Sequence, residues 1–327
     1  MKKFRISSIL LTFFAVIFFS IFCVSCNFGF FWGLFGEENV DDRSSSMTDL
    51  NSLKPDFSKQ NLKAPKDSNH TYSFVIITDV HFGSGRTEDS DVDEDFLKWI
   101  SLRFDTYKDS NPEKVPRFIL NLGDTADGGH DSEYKEYLEF ENKIKAIAKE
   151  KIGDNDYKIY SILGNHDLYN NGVTGFKKYC FPYISSYFFN LDSAPSDSTS
   201  GISFYFLDTA NGTLGKSQLD DFKEKTSSDP CPKIVLSHYP IYAGAEDPVA
   251  ILMRIQNSME RNTILTYFSR YNVKQVYDGH IHKSFGFDFK KFREDSLDAF
   301  KNGFCAVITV NEKTQTMHTE VVELLFN

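Results

Sequence analysis

Five short motifs stand in fixed order along the chain: Asp79-x-His81, Gly123-Asp124, Gly164-Asn165-His166-Asp167, His238 and Gly279-His280-Ile281-His282. Each begins just past a short apolar run rich in β-branched and aromatic residues, at residues 72–78, 117–122, 158–163, 233–237 and 273–278. Three more such runs occupy residues 202–208, 303–310 and 315–324. Between them, Phe96, Ile100, Phe104 and Tyr107, then Tyr134, Tyr137, Leu138, Ile144 and Ile147, recur at helical spacing. Asp247-Pro248 reads as a cap with Pro at the first helical position, opening residues 249–255, and Ile264, Leu265, Phe268 and Tyr271 form another stripe. This alternation predicts an α/β fold, whose ligands gather in crevices outside the carboxyl ends of strands. The motifs sit at those ends.

The residue types point to chemistry. Asp, Asn and His side chains drawn from about two hundred residues of chain have reason to converge if they surround metal. Two divalent ions roughly 3.5–4 Å apart lower the pKa of a bridging water, hold phosphoryl oxygens and favour in-line displacement. Mixed oxygen and nitrogen ligands suit Mn, Fe and Zn. Asp79 and His81 are two apart, as are His280 and His282, so strand geometry carried past the strand end would project each pair to one face.

The ordered set resembles the calcineurin-like metallophosphoesterase superfamily, whose pattern is Asp-x-His, Gly-Asp, Gly-Asn-His-Asp/Glu, a lone His, and Gly-His-x-His. The resemblance runs from about Tyr72 to about Val322 with no motif missing. It implies a four-layer αββα sandwich of two mainly mixed β-sheets flanked by helices. It also implies a hydrolase of phosphate esters, mono- or diester, that uses two divalent ions and a hydroxide between them. Asp79, His81 and His282 would bind one ion, Asn165, His238 and His280 the other, and Asp124 both. His166 matches the histidine that contacts phosphate and protonates the leaving group, and Asp127 the carboxylate that orients it. The Arg residues flanking the second and third motifs of the Ser/Thr protein phosphatases are missing here, and Asp127 stands where purple acid phosphatases have their Tyr ligand. The stretch Phe204-Tyr205-Phe206-Leu207-Asp208-Thr209 with Ser237-His238-Tyr239-Pro240 looks most like the cyclic-nucleotide-phosphodiesterase-like group. Two alternatives stay open: a noncatalytic metal-binding scaffold of the same fold, and a nuclease of the same superfamily.

The amino terminus predicts export. Lys2, Lys3 and Arg5 precede an uncharged apolar run from Ile9 to Val24, the layout of a secretory signal and shorter than the ~20 residues of a spanning helix. Cys23-Val24-Ser25-Cys26 resembles a bacterial lipobox, with Cys23 where Leu is usual, and implies a lipid on Cys26. The expected organisation is a signal peptide over 1–25, a lipid-anchored flexible linker over 26–70, and a catalytic domain over 71–327. That places the protein on the membrane of the bacterial cell envelope. Aromatics from Phe28 to Phe35 would suit a membrane interface, and the polar stretch from Glu37 to Asn69 lacks periodicity.

The remaining signals bound the answer. Net charge is −10, and −13 once residues 1–25 are removed. So acidic a chain is poorly suited to gripping long nucleic acid, which rests on Lys and Arg, so a small phosphorylated substrate is expected. Of five cysteines, Cys180 and Cys231 could pair in an oxidising compartment, and Cys305 reads as core. His70 and His318 carry no functional signal, His130 could line the pocket after Asp127, and Asp208 reads as a strand-end turn.

Overall fold

The computed structural model describes residues 39–62, 70–84, 91–193, 201–244 and 248–324. The signal peptide, Cys26, the aromatic stretch after it and Asp247 lie outside the described residues.

Alternation decides the layering. Within the strand Thr71–Ile77 (β2, after a two-residue β1 at Thr48–Asp49), Phe74 and Ile76 point one way and Val75 and Ile77 the other, and all four are buried. A strand covered on both faces belongs to the middle of a sandwich, which is why it reads as a continuous apolar run. β2 heads a parallel set with Pro116–Asn121 (β3) and Ile159–Ser161 (β4). On its other side comes Phe304–Asn311 (β11), then Thr316–Glu323 (β12), both antiparallel, giving the order β12-β11-β2-β3-β4. The second sheet has seven strands, β1-β5-β6-β7-β8-β10-β9. Its parallel centre is Ile202–Phe206 (β6), Lys233–Leu236 (β7) and Val273–Asp278 (β8). Tyr187–Leu191 (β5), Phe285–Asp288 (β9) and Arg293–Ser296 (β10) complete it.

Three apolar layers result. Phe74, Phe118, Tyr160, Phe189, Phe204 and Phe206 pack between the sheets, with Phe74 on Phe118 at 4.9 Å and Phe189 on Phe204 at 5.1 Å between ring centroids. This aromatic layer accounts for part of the 32 phenylalanines. Outside the five-stranded sheet lie helices at Val92–Tyr107, Asp131–Ile152 and Gly172–Tyr179. Outside the other lie Gly215–Ser228 and Ser258–Arg270. The molecule is therefore an α/β sandwich of two mixed sheets flanked by helices.

The predicted linker is corrected over residues 40–62. Val40, Met47 and Leu50 are buried, β1 pairs in parallel with β5, and Gln60 lies under Arg117, donating to its carbonyl and accepting from its guanidinium. Isolated apolar residues in polar surroundings carry no periodicity, so this strap escapes a pattern search. Its anchor is Arg43, whose guanidinium meets Asp208 Oδ2 at 2.6 Å with both side chains fully buried. Asp208 accepts the Ala210 N–H as a strand-end turn residue does, and beyond that reading its carboxylate holds the strap. The remaining predicted linker residues, 26–38 and 63–69, lie outside the described residues.

Cys180, Cys231 and Cys305 are buried and none is in a disulfide, so the pairing of Cys180 with Cys231 is not made. Cys180 belongs to the helix-side layer of the five-stranded sheet, whereas Cys231 lies beside Asn190 and at the start of β7.

Candidate metal centre

The motif loops converge at the carboxyl ends of β2, β3, β4, β7 and β8. They do not continue as strands: Asp79, His81, Asp124, His280 and His282 all have φ between 51° and 67°. The two Asp-x-His and His-x-His pairs therefore reach one cluster through alternating left-handed residues, not through strand alternation. Backbone bonds hold the turns: Asp79 N–H donates to the Gly123 carbonyl, His81 N–H to Asp124, and Gly279 N–H to His238.

The motif glycines allow the approach. A Cβ on Gly164 would sit 2.2 Å from both the backbone N and the Oδ1 of Asp124, and one on Gly279 would stand 2.0 Å from Thr78 Oγ1. Asp167, the last residue of the tetrapeptide, joins two of the loops. Its buried carboxylate accepts the N–H groups of Thr125, Ala126 and Gly164 and the hydroxyl of Tyr134. Burial, then the nearby Asp124 charge, pushes it up to about 6.

Two clusters form around Asp124. Asp79, His81 and His282 bring ligand atoms within 4.8 Å of one another, and so do Asp124, His238 and His280. Asp124 Oδ1 faces His238 Nε2 at 3.4 Å and its Oδ2 faces His81 Nε2 at 3.6 Å, one oxygen toward each cluster. Asn165 Oδ1 is 3.0 Å from His238 Nε2.

The donor set fits divalent cations. His238 Nδ1 meets the Leu122 carbonyl at 2.9 Å and so carries the hydrogen, leaving a neutral ring no hydrogen on Nε2 for the two oxygens that face it. A proton or a cation meets those oxygens there. Burial opposes charge on His238, yet the Asp124 carboxylate outweighs it and takes the ring up to about 9. In the other cluster, His81 Nδ1 is 2.9 Å from Asp127 Oδ1, which turns the bare Nε2 toward His282 Nε2, 3.4 Å away. His282 Nε2 also lies 3.2 Å from Asp79 Oδ1, so the two rings and the carboxylate turn their ligand atoms toward one point. Burial lowers His81 to about 4 and His280 to about 3, the neutral form that binds metal. Burial works against ionisation of Asp79, and the imidazoles of His282 and His238 reverse this, bringing it down to about 2.

The positions of His166 and Asp127 differ in part from expectation. His166 lies beside His81 and Asp124, and its Nδ1 donates to the Asp127 backbone carbonyl at 2.6 Å. The Asp127 carboxylate stands 3.8 Å from that nitrogen and is bonded to His81 instead. His130 is exposed and is the N-cap residue of the helix Asp131–Ile152.

Sequence reasoning assigned no part to three residues. Thr209 Oγ1 accepts the N–H of both His238 and Tyr239, Thr78 donates to Asp79, and Tyr239 stacks on His280 at 3.8 Å. Tyr239 was next to a motif residue. Thr209 stood in the stretch that resembled the cyclic-nucleotide-phosphodiesterase-like group, and Thr78 had no signal beyond a strand end.

The calcineurin-like phosphoesterase family model matches residues 72–284. No curated protein matches the chain. Among solved structures, GAP50, described as the anchor in the inner membrane complex of Plasmodium, is 17% identical. The match covers 78% of this chain and 85% of that one with a TM-score of 0.53, a likeness of fold. A putative 5'-nucleotidase from Staphylococcus aureus is 12% identical over 79% of this chain and 55% of its own, with a TM-score of 0.48. Purple acid phosphatase PPD1 from yellow lupin seeds gives 12%, 80%, 55% and 0.48 for the same measures.

Proposed function

Because the chain belongs to the calcineurin-like phosphoesterase family, we propose that it hydrolyses small phosphate esters at a centre of two divalent ions, Mn, Fe or Zn. Asp79, His81 and His282 hold one ion, Asn165, His238 and His280 the other, and Asp124 shares its two oxygens between them. The observation that carries this reading is the orientation of Asp124, with one oxygen toward each cluster. Such a pair supplies an activated water and neutralises phosphoryl charge.

The chain's own groups do the rest. His166 holds its Nδ1 hydrogen on the Asp127 carbonyl, so Nε2 is the atom free to give a proton to the departing oxygen. After giving it, the ring is left in the tautomer that the carbonyl already favours. Asp127 fixes His81 with its bare nitrogen inward, the way carboxylates outside a metal site orient ligating histidines.

Seven convergent candidate ligands support catalysis over a noncatalytic scaffold, the role that an anchor such as the Plasmodium protein would suggest. The net charge of −10 supports a small substrate over nucleic acid. The Ser237-His238-Tyr239-Pro240 stretch supports the cyclic-nucleotide-phosphodiesterase-like group. The charged, apolar leader ending in Ser25-Cys26 supports export and a lipid anchor at Cys26; among the described residues no helix is long and apolar enough to cross a membrane.

Chelated protein should lose hydrolysis of nitrophenyl mono- and diesters and regain it with Mn²⁺, Zn²⁺ or Fe²⁺. Asp124→Asn should retain less metal and recover little activity. Turnover at the original rate after chelation, or full activity in Asp124→Asn, would refute the mechanism; no activity with any ion would leave the scaffold reading standing.

A further inference from the structure

Among the described residues one more group of histidine and carboxylate side chains stands apart from the centre. His70, Asp192 and Glu312 bring ligand atoms within 4.8 Å of one another. His70 immediately precedes β2, Glu312 immediately follows β11, and Asp192 immediately follows β5. The first two flank the five-stranded sheet and the third the seven-stranded one, so the group spans both. It lies at the end of β2 opposite Asp79, roughly 20 Å away at ~3.3 Å per residue.

Glu312 is not a surface acid, and Asp192 is half-buried. The Glu312 side chain is fully buried and that of His70 is 9% exposed, with His70 Nδ1 3.6 Å from Glu312 Oε2. Glu312 also accepts from the N–H and the hydroxyl of Ser193. Burial pushes its carboxyl up, which states the cost of an ion there with so little opposing charge.

A second observation is independent of the cluster. Tyr72, two residues after His70, is 1% exposed, and its hydroxyl has no hydrogen-bond partner among the described residues. It packs in the layer between the sheets with Leu191, the residue before Asp192. Tyr72 is two residues from His70 and pairs with Val310, two residues from Glu312, so strand alternation sets its ring on the face that His70 and Glu312 share. After burial, the charges of Glu312 and Asp192 are what raise its phenol. A buried hydroxyl without a partner costs about 1–3 kcal/mol, and nothing among the described residues offsets that here.

We propose that His70, Asp192 and Glu312 bind a divalent ion, separate from the candidate metal centre, that clamps the two sheets together at their opposite end. One imidazole and two carboxylates favour Zn²⁺ or Mn²⁺ over Ca²⁺, which takes oxygen ligands alone. A water on that ion gives the Tyr72 hydroxyl its partner and completes the coordination that three side chains leave open.

The test compares full-length protein with Glu312→Gln, His70→Gln and Asp192→Asn, each stripped by chelator, reloaded with Zn²⁺ and dialysed. Elemental analysis should find one zinc fewer per folded chain in each variant, with nitrophenyl ester hydrolysis within about twofold of the parent. Zinc should raise the melting temperature of the parent by more than that of the variants. If Glu312→Gln fails to fold, the milder His70→Gln and Asp192→Asn carry the same comparison. Equal zinc content in parent and folded variants overturns the proposal, and so does loss of all metal and activity together. Because the readout is a difference of one ion, it stands whether or not the other centre proves hydrolytic.

Discussion

A left-handed backbone at a residue other than glycine costs of order 1–3 kcal/mol, and five of the seven candidate ligands have one. The surrounding bonds, from Gly123, Asp124 and His238 carbonyls and from the Asp167 carboxylate, hold that strain. The motif residues were legible because their types are rare in combination. Their roles were less so, because a role depends on which loop lies across from it. Asp127 illustrates this. Its sequence position suggested a partner for His166, yet its carboxylate bonds His81 at 2.9 Å. Asp127→Ala should therefore weaken metal retention on the order of 10–100-fold, measured by calorimetric titration of the chelated protein; unchanged affinity would return Asp127 to His166. His166 should behave differently. An alkoxide needs a proton to leave and a nitrophenolate does not, so His166→Asn should slow alkyl esters by on the order of 10²–10⁴-fold and nitrophenyl esters far less. Metal content should be unchanged. Equal losses on both substrates would limit His166 to holding phosphate.

At the scale of elements, the strands that carry motifs were legible within a residue or two, since burial on both faces leaves an unbroken apolar run. What escaped were elements whose burial is intermittent. β9 is exposed over Gly286–Asp288, and β5 alternates buried with half-buried residues. The strap was hidden because its hold is ionic. Arg43 and Asp208 are 165 residues apart, and no local pattern announces a pair of that kind. Removing one member of a buried pair costs about 3–5 kcal/mol because the other is left charged and alone. Arg43→Ala should lower stability by about that much in urea titration, and Arg43→Ala with Asp208→Asn should recover part of it. The sign with pH follows. Burial raises the Asp208 carboxyl, and the Arg43 guanidinium outweighs burial and lowers it. Its stabilisation is thus full above the unfolded carboxylate value of about 3.9 and is lost as pH falls through the lower folded value. The parent should lose stability below about pH 4 more steeply than Arg43→Ala; parallel acid profiles would show that the pair contributes nothing.

For the whole molecule, the strap changes what the amino terminus has to do. Among the described residues packing is already in place at Val40, not first at Thr71, so about a dozen residues separate Cys26 from packed chain in place of the forty or more expected of a linker to residue 70. At ~3.3–3.6 Å per residue fully extended, that reaches at most roughly 50 Å and usually far less. The anchor itself is testable apart from catalysis. One acyl chain binds membranes only marginally, whereas two or more hold firmly, so a protein acylated at Cys26 should remain with membranes through salt and carbonate washes. Cys26→Ser should release it or leave an unprocessed form, and mass spectrometry of the parent should find the chain starting at a modified Cys26. A parent with an intact Met1, or membrane retention indifferent to Cys26→Ser, would replace the lipid with the apolar leader itself as the anchor.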